Sequence, residues 1–342
     1  ILAAEIVPDK AVGLAQIAKL GFVQQSEKKL TVRLELAAYL GDRENRLKQN
    51  LAQKLSSLAP ELTLDLHLVT EVAKFESAGD NASVTGVKNI IAVASGKGGV
   101  GKSVLARLLS QYFIDRHMPY QGLDADQSHA SLTRYYPQFS RPLKVDRFES
   151  SDQIIELALE ADRQVLVDLP AQSQRFLDHW VDDNDVLTLC AEMELPVVFW
   201  YVVDDGRDSV QLLNDFLSRY QHRLRCVVVK NRGRGSDFSE LESLPALLAE
   251  DAPQQVELPA LHSATLHRID KLDFSFWAAT ALRDGSPKLT LMERQRTRVW
   301  LKRAYTMFDA VMASLPKAIP RPEPLGSEEA TLSDLPADAE RI

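Results

Sequence analysis

The sequence predicts an α/β protein: a doubly wound, mainly parallel sheet preceded by a small α+β domain. Three observations predict it. Apolar strand-like runs and helical runs alternate from residue 89 to about 280. The first of those runs, residues 89–94 (NIIAVA), leads straight into a glycine-rich loop and then a helix. Ahead of it, residues 30–36 (LTVRLEL) and 62–69 (LTLDLHLV) alternate apolar and polar side chains, as half-buried strands do.

The elements follow in order. Residues 11–20 have helical spacing, and 43–58 form a polar amphipathic helix with Leu47, Leu51 and Leu55 four apart. The first domain therefore spans 1–76, and the small polar run within 77–88 reads as a linker. The second domain, 89–315, carries helices at 104–115, 153–161 and 209–220. Its strands are expected at 120–124, 164–169, 186–191 (VLTLCA), 197–203, 225–230 and 255–258. Strand–helix alternation implies a parallel sheet covered on both faces. Residues 291–315 read as one long helix, with Val299, Leu301, Tyr305, Phe308, Val311 and Met312 on an apolar side that packs on the sheet or, as the alternative, binds a partner or a surface. Residues 316–342, rich in Pro, Glu, Asp and Ser, are expected to be a disordered acidic tail.

The chain has 342 residues, 45% hydrophobic and 26% charged, with a formal net charge of −8. That composition suits a soluble globular protein and disfavours one whose whole surface coats nucleic acid. No apolar run approaches the roughly 18–20 residues that span a bilayer, and no secretory signal is visible. Cys190 and Cys226 form no C-x-x-C pair and lie in apolar runs read as strands, so both are expected to be buried and inert, in a reducing cytoplasm.

The strongest signal is Gly96-Lys97-Gly98-Gly99-Val100-Gly101-Lys102-Ser103, which contains G-x-x-x-x-G-K-S. Glycines let backbone N–H groups turn inward around phosphate oxygens, and the following helix aims its positive end at the same charge. Lys102 is expected at the β- and γ-phosphates of ATP, and the Ser103 hydroxyl on Mg²⁺. Lys97, five residues before Lys102, is a second lysine that an ordinary phosphate loop does not need. It resembles the K-G-G-x-G-K-[ST] variant of the MinD/ParA/Mrp class of P-loop ATPases. That resemblance implies a lysine reaching across an ATP-dependent homodimer to the partner subunit's phosphates, and it makes Lys97 and Lys102 candidate catalytic residues.

Three further segments resemble the class. Gly122-Leu123-Asp124-Ala125-Asp126 is similar to its D-x-D segment, so Asp124 and Asp126 together are candidates for holding a Mg²⁺ water or orienting the attacking water. Val165-Leu166-Val167-Asp168 is similar to its hydrophobic strand ending in Asp, which implies that Asp168 contacts Mg²⁺ through water, followed by a γ-phosphate switch. Asn231, at the end of a strand, is implied to read adenine, and the loop with Pro259 to close over the base. Two departures bear on catalysis. Val104 lines the site where the class usually has Thr, and the switch reads Pro170-Ala171-Gln172.

A small domain followed by GVKNIIAVASGKGGVGKS is similar in layout to the Mrp (ApbC) branch, whose first domain is related to iron–sulfur assembly factors. Carriers of that branch hold a bridging cluster on a C-x-x-C pair, because such clusters need thiolates. This chain has no such pair after Asn231 and no Cys in residues 1–76.

The favoured function is therefore an ATP-driven dimer switch, with slow hydrolysis stimulated by an unidentified protein partner that it recruits or positions. The alternatives are an iron–sulfur carrier or cofactor-maturation ATPase, which would need ligands from a partner or from Cys190 or Cys226, and a DNA partition ATPase. For DNA, the basic stretches are Arg219, Arg223, Arg225, Arg232 and Arg234, and 294–303; DNA is not favoured in so acidic a chain. Asp204, Asp205, Arg207 and Asp208 read as a charged turn with Asp208 as helix cap, and His129, His262 and His267 as structural.

Overall fold

The computed structural model describes residues 14, 18–36, 40, 43–70, 88–126, 130–171, 173–220, 223–282 and 288–315. The expected linker (but for Lys88), the acidic tail, His129 and Gln172 lie outside the described residues.

The first sheet has three strands in the order β1-β2-β3. Strands β1 (Ala18–Ser26) and β2 (Lys29–Leu36) form an antiparallel hairpin around Glu27 and Lys28, and β3 (Thr63–Thr70) lies parallel to β2. Helix α1 (Arg43–Leu58) connects β2 to β3. It buries Leu47 and Leu51 against Val32, Leu34, Leu36 and Leu66, the inward set of the alternating strands. The helix expected over 11–20 is corrected here: Leu14 is helical, but Ala18 onward is strand. Pairing with β2 overrides the local helical spacing.

The second sheet has seven strands, all parallel, in the order β10-β9-β8-β4-β7-β5-β6. Its strands are β4 (Asn89–Ala94), β5 (Tyr120–Asp124), β6 (Ser140–Pro142), β7 (Gln164–Asp168), β8 (Val197–Val203), β9 (Arg225–Asn231) and β10 (Gln254–Leu258). Between them run α2 (Lys102–Asp115), α3 (Ser131–Tyr135), α4 (Phe148–Glu160), α5 (Gln174–Asp183), α6 (Val186–Glu192) and α7 (Arg207–Tyr220). The short α8 (Ser239–Glu242) and α9 (Pro245–Leu248) precede β10, and α10 (Ser263–Lys271), α11 (Phe276–Ala281) and α12 (Leu291–Ser314) follow it.

Side chains alternate across β4 into two cores. Ile91 and Val93 join α2, α11 and α12 on one face; Ile90, Ala92 and Ala94 join α4, α5 and α7 on the other. Burial of both faces is why these strands read as unbroken apolar runs. Helix α12 starts at a capping box, in which Thr290 Oγ1 accepts from Glu293 N and Glu293 accepts from Thr290 N. Trp300, Leu301, Tyr305, Phe308 and Val311 of α12 are buried, whereas Val299, expected on the apolar side, is 40% exposed.

Two more expectations are corrected. Residues 186–191 are helix α6, not a strand: Val186 and Cys190, four apart, are buried while Leu189 is exposed, so the run has one apolar face. Asp208 is not a cap, because α7 begins at Arg207 and Asp208 lies in its first turn.

Candidate functional site

The parallel order brings the C-terminal ends of β4, β5 and β7 side by side. Register pairs Val93 with Asp168, and Asp168 with Asp124. In open α/β sheets ligands bind outside the carboxyl ends of the strands, where strand order reverses, and β4 is flanked there by β7 and β8. The loop 95–101 leaves β4 at this point and opens α2. Gly99 and Gly101 have φ of +84° and +96°, values that disfavour any side chain. At Gly101 a Cβ would also lie 2.2 Å from Asn231 Nδ2, so only glycine fits.

The two loop lysines face different partners. Lys102, 6% exposed, donates to Asp168 Oδ1 at 2.5 Å and to Asp126 Oδ2 at 3.3 Å. Lys97 points elsewhere and pairs with Asp204 Oδ2 at 3.1 Å, on the turn after β8. Burial would raise the Asp204 carboxyl, but hydrogen bonds from Ser209, Lys97 and Gly206 N hold it below the usual carboxylate range. Neighbouring Asp205 accepts from the backbone N–H of Ser236 (2.7 Å) and Asp237 (3.2 Å), which fastens the turn after β8 to the loop after β9. The charged turn is thus a support for Lys97.

Burial pushes the Asp168 carboxyl up to about 6, against the opposing pull of Lys102. Asp124 is also raised by burial, opposed by hydrogen bonds from Thr133 N (2.9 Å) and Thr133 Oγ1 (3.0 Å) to its Oδ2. Each of these acids keeps one buried oxygen without a hydrogen-bond partner, Asp124 Oδ1 and Asp168 Oδ2. Two register-paired carboxylates, each with a free oxygen, form a donor set that fits Mg²⁺, which takes one or two carboxylates together with substrate phosphate oxygens.

Next to the loop lies a pocket of ≈ 280 Å³. Gly101, Val104, Asn231 and Pro259 line it. Arg234, read from the sequence as part of a basic stretch, and His267, read as structural, also line it, together with Asp270 and with Trp300 arriving from α12, neither of which the sequence singled out. Trp300 Nε1 donates to Pro259 O at 2.6 Å, which fixes the loop between β10 and α10. Asn231 Nδ2 donates to Val100 O at 2.7 Å, and its Oδ1 accepts from Gly233 N at 2.9 Å. Asn231 therefore staples the phosphate loop to the end of β9 with both ends of its amide.

The basic stretch 219–234 is largely neutralised within the chain. Arg219 and Arg223 pair with Asp178 and Asp182 on α5, Arg232 pairs with Glu257 at 2.6 Å, and Arg225 donates to Ser314 O at 2.8 Å. Arg294 and Arg298 donate to Leu282 O and Thr280 O, both at 2.8 Å. Cys190 and Cys226 are 2% and 5% exposed, and burial pushes their thiols up to about 11 and about 12. Cys190 lies on α6 rather than on a strand.

Comparison with known proteins finds several likenesses. A family model described as "ParA: NUBPL iron-transfer P-loop NTPase" matches residues 86–145. The chain is 29% identical over 234 residues to Protein TraL of Escherichia coli, covering 64% of this chain and 96% of that protein. It is 36% identical over 80 residues to the iron-sulfur cluster carrier protein of Escherichia coli (strain K12), covering 23% of this chain and 22% of that one. Among solved structures, the ParA family ATPase from Chlorobium tepidum TLS superposes with a TM-score of 0.43 at 14% identity, over 64% of this chain and 99% of that chain. No helix among the described residues is long and apolar enough to cross a membrane.

Proposed function

With its nucleotide domain a P-loop NTPase of the ParA/MinD/Mrp type, we propose that this chain is a Mg²⁺-dependent ATP switch. ATP joins two copies, the joined form recruits or positions a protein partner, and slow hydrolysis, stimulated by that partner, releases it. The observation that carries this reading is the separation of the two loop lysines. Lys102 is buried among Asp168 and Asp126, whereas Lys97 is 29% exposed and held at the rim by Asp204.

The residues then divide the work. Backbone N–H groups of 98–103 take the phosphate oxygens, and Lys102 leaves its carboxylates for the more strongly charged phosphates. Ser103, Asp124 and Asp168 hold the Mg²⁺, which neutralises phosphate charge when bound. One of Asp124 and Asp126 orients the attacking water. Val104, Pro259 and Trp300 enclose the base. Lys97, released from Asp204, reaches the phosphates of the second copy. Residues 1–76 act as an accessory domain.

Light scattering tests the reading. Wild type with Mg-ATP should double in mass. Lys102→Ala should lose nucleotide binding, and Lys97→Ala should keep most of the binding and stay a monomer. An unaltered ATP-dependent dimer for Lys97→Ala would defeat the model.

The cluster-carrier reading has less support. Its chemistry needs thiolates, and both cysteines are buried and held protonated. Iron and acid-labile sulfide measured after anaerobic reconstitution should be absent; one cluster per dimer would reinstate the carrier.

A further inference from the structure

The turn that ends α10 collects arginines from three separate elements. Arg107 of α2, 4% exposed, binds Asp270 Oδ1 at 2.7 Å and Phe274 O at 3.4 Å, with its guanidinium 3.7 Å from the Tyr135 ring centroid. Arg134 of α3 donates to Asp273 Oδ1. Arg43, the first residue of α1 on the small sheet, donates to Asp273 Oδ2 from Nη1 at 3.3 Å and from Nη2 at 3.5 Å. Asp273 is 2% exposed and has a φ of +55°, the left-handed position that closes the C-terminus of α10, where Phe274 N donates to Ile269 O at 3.1 Å. A carboxylate buried this deeply is tolerated only with cations on it, and one of its cations comes from the small sheet.

The same turn touches the nucleotide site twice. Asp270 lines the pocket beside the phosphate loop. Arg134 directly follows Thr133, whose N–H and hydroxyl hold Asp124 Oδ2. A continuous series of hydrogen bonds and one peptide bond therefore runs Asp124, Thr133, Arg134, Asp273, Arg43. Helix α3 has only five residues, too short to hold its own place, so its anchors decide where Thr133 presents its donors.

We propose that Arg43 and Asp273 are positioning residues of the ATPase site: the small sheet, through Arg43, fixes the placement of Asp124. Removing Arg43 lets Asp273 and Arg134 relax, α3 shifts, and Asp124 loses its alignment. The inference rests on the reading of this site as one that hydrolyses Mg-ATP.

Steady-state ATP hydrolysis by the full chain tests it. Contacts in such series alter coupling by factors of a few to about thirty, so Arg43→Ala should lower kcat about three- to ten-fold with KM within about two-fold of wild type. Arg43→Lys should recover most of the loss. Asp273→Asn should lower kcat comparably, and the double variant should lose little more, as residues acting in one series do. A purely structural strut would lower the melting temperature and the active fraction but leave the kcat of the folded fraction alone. Wild-type kcat in Arg43→Ala, or losses that add in the double variant, would overturn the inference. If Asp273→Asn does not fold, the Arg43→Ala and Arg43→Lys pair decides. If wild type itself does not hydrolyse Mg-ATP, the reading of the site falls and this inference falls with it. Hydrolysis by wild type with no effect of Arg43 removes only the inference.

Discussion

The two sheets solve the burial problem in different ways. Every residue of β4 and β7 is buried, because helices cover both faces of the seven-stranded sheet. The three-stranded sheet covers one face with α1 and leaves β1 open, with Leu20, Phe22 and Val23 at 50%, 45% and 52% exposed. Deep burial lets the large sheet hold charged groups such as Lys102 and Asp168 in fixed places, since low dielectric strengthens each pairing and leaves few alternatives. The small sheet has no such depth, and the contact proposed to carry its contribution to the site is made by Arg43, at the start of the helix that covers it.

Variants can sharpen or break that contrast. The largest effect is expected at Trp200 of β8, 0% exposed and packed edge-on to Phe308 at 5.6 Å. Trp200→Ala should cost about 3–5 kcal/mol in urea denaturation followed by tryptophan fluorescence or circular dichroism. A cost under about 1 kcal/mol would mean that this core is looser than its burial indicates. Leu51→Ala on α1, 1% exposed, should cost about 2–3 kcal/mol, at the lower end for Leu→Ala because the open sheet can collapse around the gap. An equal or larger cost than at Trp200 would erase the distinction.

Thiol chemistry gives a sharper test of depth. With thiols held near 11 and 12, Cys190 and Cys226 should not react with a thiol-specific disulfide reagent at pH 8 until the chain is unfolded, whereas a cysteine placed by Val23→Cys should react at once. Rapid modification of either native thiol would show that the large sheet opens. The smallest effect is expected for Val23→Thr, under about 0.5 kcal/mol, because half of that side chain already faces water.

Much of the frame was legible in the residues. The glycine spacing of 96–103 names a loop whose backbone must curl, and continuous apolar runs name strands buried on both faces. The failures have specific causes. The run VLTLCA has strand composition, but its burial repeats every four residues, and a six-residue window does not separate the two readings. Residues 18–20 carried helical spacing that pairing with β2 overrode.

What the sequence determined, then, is whatever depends on neighbours along the chain: backbone freedom at the glycines, the period of apolar side chains, and the absence of a paired-cysteine ligand set. Only the tertiary structure decided which distant groups meet. It set Asp204 beside Lys97, turned the Asn231 amide onto Val100, brought Trp300 from α12 to the pocket wall, and gathered Arg43, Arg107 and Arg134 at one turn. Those pairings lie tens to hundreds of residues apart, and the strand order and register that join them come from the packing of the whole sheet, which no local pattern encodes.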